Sequence, residues 1–174
     1  MIMRTLLLLR HAKSSWEDPH LKDFDRPLAP RGMKAAALMA AYLERKRLRP
    51  DLVLCSPAVR ARQTWSLVAR SLGDRIEAKE LQGLYLGPPS RLLEAVRRLP
   101  DAATCALLVG HNPGMQHLAM ALAGPRSKPK AVAKLSTKFP TAALAEIEFD
   151  TAAWADVARG EGRLKRLVWP KDLA

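Results

Sequence analysis

The apolar run Leu6-Leu7-Leu8-Leu9 has no polar relief and stops abruptly at Arg10-His11-Ala12-Lys13. A second run, Cys105-Ala106-Leu107-Leu108-Val109-Gly110, stops in the same way at His111-Asn112-Pro113-Gly114. Continuous apolar runs of this length predict strands buried on both faces. Ser14 to Pro30 is polar and Pro-containing and reads as a long loop; because it leaves the His11 end of the first strand, it is expected to wall a site there. From Gly32 to Arg49 the apolar Ala35, Leu38, Met39, Tyr42 and Leu43 fall at helical spacing, with Pro50 as the stop. Asp51 to Cys55 is the second strand. Ser56-Pro57 then predicts a helix start, Ser as N-cap and Pro as first helical residue, running to Leu72.

Further on, Arg75 to Lys79 reads as a short strand, Glu80 to Pro89 as a loop, and Ser90 to Leu99 as a helix with Leu92, Leu93, Val96 and Leu99 on one face. Thr104 to Val109 is a strand and Met115 to Ala123 a helix closed by Gly124. Pro125 to Lys138 loses periodicity and is basic, which predicts a mobile loop. Thr141 to Phe149 is a strand, Trp154 to Ala158 a short helix, and Arg163 to Trp169 an edge strand pairing antiparallel with its predecessor. The β-α alternation implies an α/β fold: a three-layer α/β/α sandwich around a mostly parallel sheet.

A length of 174 residues fits one domain over residues 1–174, with 48% hydrophobic residues to fill its core. No apolar stretch approaches a membrane span and no signal-peptide cleavage pattern follows the first run, so a cytoplasmic protein without membrane contact is expected. Cys55 and Cys105 lack metal-ligand spacing and are read as free thiols in buried strands. The 29 Lys and Arg against 17 Asp and Glu give a net charge of +12, which suits an anionic partner without choosing it. The basic residues are scattered and no zinc-finger or aromatic RNA-binding pattern accompanies them, so no nucleic acid is expected. A basic nucleic-acid-binding module is the alternative from another class.

Parallel strands bring their carboxyl ends to one edge, where ligands bind in open α/β sheets. Arg10, His11, the turn from Ser56 to Arg60 and His111 therefore converge, with Arg60 near a helix N-terminus that favours an anion. A metal site lacks its third ligand, since His20 lies in a loop and His117 beyond a helix start. A serine hydrolase lacks the nucleophile-elbow pattern at Ser14 and Ser56. No glycine-rich nucleotide turn follows any strand. Phosphoryl transfer needs what is present: a neutral imidazole nucleophile and fixed cations around the equatorial oxygens. His11 would attack and His111 would hold the phosphoryl group.

Arg10-His11-Ala12, Ser56-Pro57-Ala58-Val59-Arg60-Ala61-Arg62-Gln63-Thr64 and Gly110-His111-Asn112-Pro113 resemble the motifs of the histidine phosphatase superfamily, in its SixA-like phosphohistidine phosphatase branch. Asp25-Arg26-Pro27-Leu28, Arg31-Gly32, Phe139-Pro140-Thr141-Ala142-Ala143 and Trp169-Pro170-Lys171 extend the likeness along nearly the whole chain. The resemblance implies a phosphoglycerate-mutase-like fold, a phosphohistidine intermediate on His11, phosphate binding by Arg10, Arg60 and His111, and neither metal nor cofactor. Lys13, Ser14, Arg26 and Asn112 are the expected substrate-binding residues. The expected partner is a phosphorylated protein carrying phosphohistidine or a small phosphorylated molecule; a phosphotransferase differs only in the acceptor.

Two departures matter. The superfamily's commoner Arg-His-Gly reads Arg-His-Ala here, placing a methyl group where glycine allows close backbone approach. No motif for an acidic proton donor is evident; Glu80 is the nearest candidate by order along the chain, with Glu17 and Asp18 as rivals. Weak acid provision suits phosphohistidine, because imidazole, with an unperturbed pKa of roughly 6.5, leaves more readily than an alkoxide.

Overall fold

A computed structural model describes residues 2–73 and 75–174. Six strands form one sheet: β1 (Met3–Arg10), β2 (Leu52–Cys55), β3 (Glu77–Glu80), β4 (Cys105–Gly110), β5 (Leu144–Asp150) and β6 (Arg163–Val168). Their spatial order is β3-β2-β4-β1-β5-β6. The two His-terminated runs are therefore immediate neighbours, parallel and in register from Thr5 opposite Cys105 to Arg10 opposite Gly110. β2 and β3 continue the parallel half. β5 runs antiparallel to both β1 and β6, so the last two strands pair as the pattern predicts.

Alternation along β1 shows why a run of four leucines is needed. Leu7 and Leu9 face α1 (Pro30–Arg45) and α2 (Val59–Leu72), packing with Met39, Leu43, Val68 and Leu72. Leu6 and Leu8 face the other layer, α3 (Pro89–Arg97), α4 (Gly114–Leu122) and α5 (Pro129–Thr137), with Leu92, Val96, Leu118 and Leu135. All four leucines are fully buried, each stabilising the fold by about 1.5–3 kcal/mol of apolar transfer. Among the described residues no helix is long and apolar enough to cross a membrane.

Three readings are corrected. Pro125 to Lys138 is not a loop: its second half is α5, which starts with Pro129 in its first turn after Lys128 and buries one residue, Leu135, in the core. Ser56 is not the cap of α2, whose N-cap is Ala58, so Pro57 lies outside the helix and the Ser56 hydroxyl is left for other use. Cys105 is half-buried rather than buried, although both cysteines are free and burial pushes both thiols up to about 12. Element ends shift elsewhere too: α1 begins at Pro30 and stops at Arg45, well before Pro50, because Arg47 turns the chain with φ of 55°.

Candidate active site

β1 ends at Arg10 and β4 at Gly110, so each strand hands on to a histidine, and the His11 amide still donates to Gly110 O (3.0 Å), which holds the two histidines side by side at the sheet edge. Their ring centroids lie 4.9 Å apart with planes tilted by 52°. Both rings are almost wholly buried. His11 is held by its own turn: Nδ1 lies 2.7 Å from the carbonyl oxygen of Ala12 and donates to it, so Nε2 carries the lone pair. Burial comes first among the forces on this ring; with the neighbouring His111, Arg60 and Arg10 it outweighs the hydrogen bond to Ala12, pushes the pKa down to about 3 and keeps the imidazole neutral.

α2 carries Arg60 in its first turn, aimed inward, whereas Arg62 is half-exposed on the outer side. The side edge of the Arg60 guanidinium faces the histidines: Nε donates to Nε2 of His11 (3.3 Å) and Nη2 to Nδ1 of His111 (3.4 Å). With Nδ1 of His111 accepting, its Nε2–H donates to the Ser56 hydroxyl at 2.7 Å, which is the use that Ser56 finds instead of capping the helix. Burial, then the Arg60 charge, push His111 down to about 4.

The long loop after β1 closes the site, as its position predicts. Arg26 ties it together, donating to Ser14 Oγ (2.5 Å), Ser15 O (3.1 Å) and Asp23 Oδ1 (3.0 Å), with Trp16 stacked 3.2 Å over its guanidinium carbon. Arg10 donates to Phe139 O (3.0 Å), and Asn112 Nδ2 to the same oxygen (2.9 Å). Burial and the neighbouring Arg60 charge lower the pKa of Arg10, whose Nε is buried without a hydrogen-bond partner. Arg10, His11, Lys13, Ser14, Arg26, Arg60, His111 and Asn112 line a single cavity of about 210 Å³.

Glu80 is not brought to this cavity. It ends the exposed edge strand β3, 4.0 Å from Arg62. Glu17 and Asp18 stay exposed in the loop. The carboxylate that does reach the site is Asp23, which sequence reasoning missed along with Tyr85. Asp23 Oδ2 accepts from Arg60 Nη2 (2.9 Å) and from the Tyr85 hydroxyl (2.6 Å), and its backbone oxygen accepts from Arg60 Nη1 (2.6 Å). Hydrogen bonds from Tyr85, Arg60 and Arg26 outweigh its desolvation and hold its pKa down at about 2, so it is an anion and not a proton donor near neutral pH. The Tyr85 ring stands edge-on to His111 at 5.4 Å. The only local hint was an acid three residues before Arg26.

Ala12 answers the departure from Arg-His-Gly. Its methyl group is fully buried with Leu28, Ala36 and Ala142, so it packs the strand end rather than crowding the cavity. Its amide donates to Thr64 Oγ1 (3.0 Å), and that hydroxyl donates to Arg60 O (2.7 Å), linking the His11 turn to the helix that carries Arg60.

Comparison with known proteins gives the family and the fold. A sequence model of the histidine phosphatase superfamily (branch 1) matches residues 6–85, which hold His11 and Arg60. An uncharacterised protein of Mycobacterium tuberculosis is 40% identical over 153 residues, 87% of this chain and 93% of that protein. A candidate SixA phosphohistidine phosphatase of Nakamurella multipartitia superposes with a TM-score of 0.85 at 29% identity, over 98% of each chain. Another, from Agrobacterium tumefaciens, gives 0.80 at 30% identity over 95% of this chain and 97% of that one. The fold is the phosphoglycerate-mutase-like α/β architecture, and the chain belongs to branch 1 of the histidine phosphatase superfamily, among its SixA-like members.

Proposed function

We propose that the protein is a phosphohistidine phosphatase that works through a covalent phosphohistidine on Nε2 of His11. The observation that carries this reading is the state of that nitrogen: neutral, fixed by the Nδ1–H bond to Ala12 O, and facing the side edge of Arg60. Nε2 attacks phosphorus as the leaving-group bond breaks. Charge on the equatorial oxygens is met by Arg60 Nε and Nη2 and by the unpartnered Nε of Arg10, fixed donors in a largely water-poor site. His111 takes a proton at Nδ1 once the anion is beside it and becomes a further donor. Lys13, Ser14, Arg26 and Asn112 shape the entry. Water then attacks the phosphohistidine, releasing phosphate and restoring the ring.

The leaving group follows from the carboxylates. Asp23 is ionised and committed to two arginines and Tyr85, and Glu80 lies off the cavity, so neither supplies the proton that an alkoxide requires. A phosphoramidate nitrogen takes its proton from solvent before it leaves. The roles given to these residues need no metal, and the positive field comes from Arg10, Arg60 and a protonated His111. The two free thiols suit a cytoplasmic setting, and one sheet built from both ends of the sequence suits action as a single domain.

The test is to mix the protein with a phosphohistidine peptide, quench, and locate acid-labile phosphate. Label on His11, absent in His11→Ala, with faster turnover of the phosphohistidine peptide than of alkyl phosphates, supports the reading. Faster hydrolysis of the alkyl esters assigns the site to small phosphate esters, and salt-dependent nucleic-acid affinity that survives His11→Ala with no phosphate release marks a binding module.

A further inference from the structure

A second hollow, of about 390 Å³, adjoins the phosphoryl cavity and shares Lys13 and Thr141 with it. Four elements distant in sequence each deliver a cation to it: Lys13 after β1, Arg31 in the first turn of α1, Lys138 after α5, and Lys171 in the closing 3-10 turn. Among the described residues none of these four makes an ion pair. The floor is Trp169, with the ammonium groups of Lys138 and Lys171 at 5.1 and 4.8 Å from its ring and Lys134 at 4.5 Å. Asp172, the acid of this neighbourhood, is bound to Lys134 and to the Trp169 amide. Positive charge is thus gathered on one aromatic platform in excess of the negative charge that meets it, a concentration that costs self-repulsion unless an anion arrives.

We propose that this hollow is a docking subsite for an acidic side chain of a protein substrate, close to the phosphoryl-bearing residue. This rests on the phosphatase reading of the neighbouring cavity. A protein rather than a small metabolite is favoured by the mouth of that cavity, where Trp16 is 70% and Leu86 55% exposed. Exposed apolar side chains at the rim of a polar cavity suit burial under a macromolecule. The carboxylate settles among Arg31, Lys138 and Lys171 while Lys13 stands between it and the phosphoryl group, so one cation serves both anions. Electrostatic docking of this sort raises the encounter rate and selects among substrates without touching the bond that breaks.

The experiment compares two phosphohistidine peptides, one flanked by Glu and one by Gln, with a small phosphoramidate as reference. The wild-type kcat/KM is expected to favour the Glu peptide by about five-fold at low salt, the scale of a good surface ion pair. The preference should vanish near about 0.5 M salt, where screening is short-ranged. The double variant Arg31→Ala with Lys171→Ala should lose the preference and retain the wild-type rate on the small phosphoramidate. Equal rates on the two peptides, or a preference that survives in the double variant, overturn the proposal. So does competitive inhibition by citrate that disappears in the double variant while the peptides are not distinguished, since the hollow then serves small anions. Failure of the wild type to hydrolyse the peptides and the small phosphoramidate alike refutes the phosphatase reading itself.

Discussion

Asp23 grips Arg60 by the end of its guanidinium and leaves the side edge free: its Oδ2 is 2.9 Å from Nη2 and its backbone oxygen 2.6 Å from Nη1, while Nε and the second hydrogen of Nη2 point at the histidines. A guanidinium is planar, so fixing one edge fixes the other. Under the proposed function Asp23 is therefore a positioning residue for the cation assigned to the phosphoryl oxygens. Asp23→Asn keeps the shape and one acceptor but removes the charge. With the side chain 45% exposed, solvent already weakens the pair, and kcat/KM is expected to fall about ten-fold, expressed in kcat more than in KM. Steady-state kinetics against Tyr85→Phe, which removes one hydrogen bond to the same oxygen, should show the smaller loss for the tyrosine variant. An Asp23→Asn enzyme with unchanged kcat would detach Asp23 from the chemistry.

Asp23 also shows what a sequence hides. The two strand-end histidines were legible because each ends a run that must be a buried strand, and parallel strands share a carboxyl edge; Arg60 was legible because it opens a helix. Asp23 opens a single 3-10 turn and Tyr85 closes another, and only the closing of the long loop onto α2 brings them to Arg60. No period of two or 3.6 marks such residues. α5 was missed for a related reason: Ala131, Val132 and Leu135 have helical spacing, yet only Leu135 is buried, so the apolar stripe is too thin to stand out among Lys128, Lys130, Lys134 and Lys138. Ser56 misled because Ser-Pro is a good helix start in isolation, whereas here its hydroxyl accepts from the His111 ring and from the amide of Ala58, the residue that precedes α2.

The buried neutral histidines make stability depend on pH in a definite direction. Both have folded pKa values, about 3 for His11 and about 4 for His111, below the unfolded value of 6.5. The unfolded chain then binds protons more readily, so their contribution is complete above pH 6.5 and is lost as pH falls from there toward 4 and 3. Each histidine costs about 1.4 kcal/mol per pH unit within that window. Urea unfolding of the wild type at pH 7.5, 6 and 5 should show a steepening loss, and His11→Gln should lose roughly half as much over the same range. Parallel pH dependence of variant and wild type would contradict the buried neutral state.

Binding of an anion should draw in a proton. His111 accepts from Arg60 at Nδ1 and so directs no donor from that nitrogen to the cavity; an oxyanion beside the ring favours its charged form. Sulfate is the appropriate probe, since it neither gives nor takes a proton near neutrality. Calorimetric titration at pH 6 in buffers of different ionisation enthalpy should reveal uptake approaching one proton per sulfate bound. His111→Gln should bind sulfate more weakly with the uptake abolished. Uptake that persists in that variant would move the proton to another group.

Gly32 supplies the last prediction, because it shows how tightly α1 is seated against the site. A Cβ built on Gly32 would lie 2.1 Å from the carbonyl oxygen of Lys13 and 2.9 Å from its carbonyl carbon and amide nitrogen. That backbone is not free to retreat. The same oxygen accepts from the Ala29 amide at 2.8 Å, and the chain on either side carries His11 and Ser14, both buried and hydrogen-bonded. Gly32→Ala must therefore push the start of α1 away from the strand end or shift the His11 turn. A cost of about 1–3 kcal/mol is expected, the range for overpacking. Lys34→Ala, on an exposed position of the same helix, should stay within about 0.5 kcal/mol of wild type. The displacement reaches the cavity through Lys13, so kcat/KM on a phosphohistidine peptide should fall in Gly32→Ala at a temperature where the protein is still fully folded. A stable, fully active Gly32→Ala protein would show that the helix does not press on Lys13.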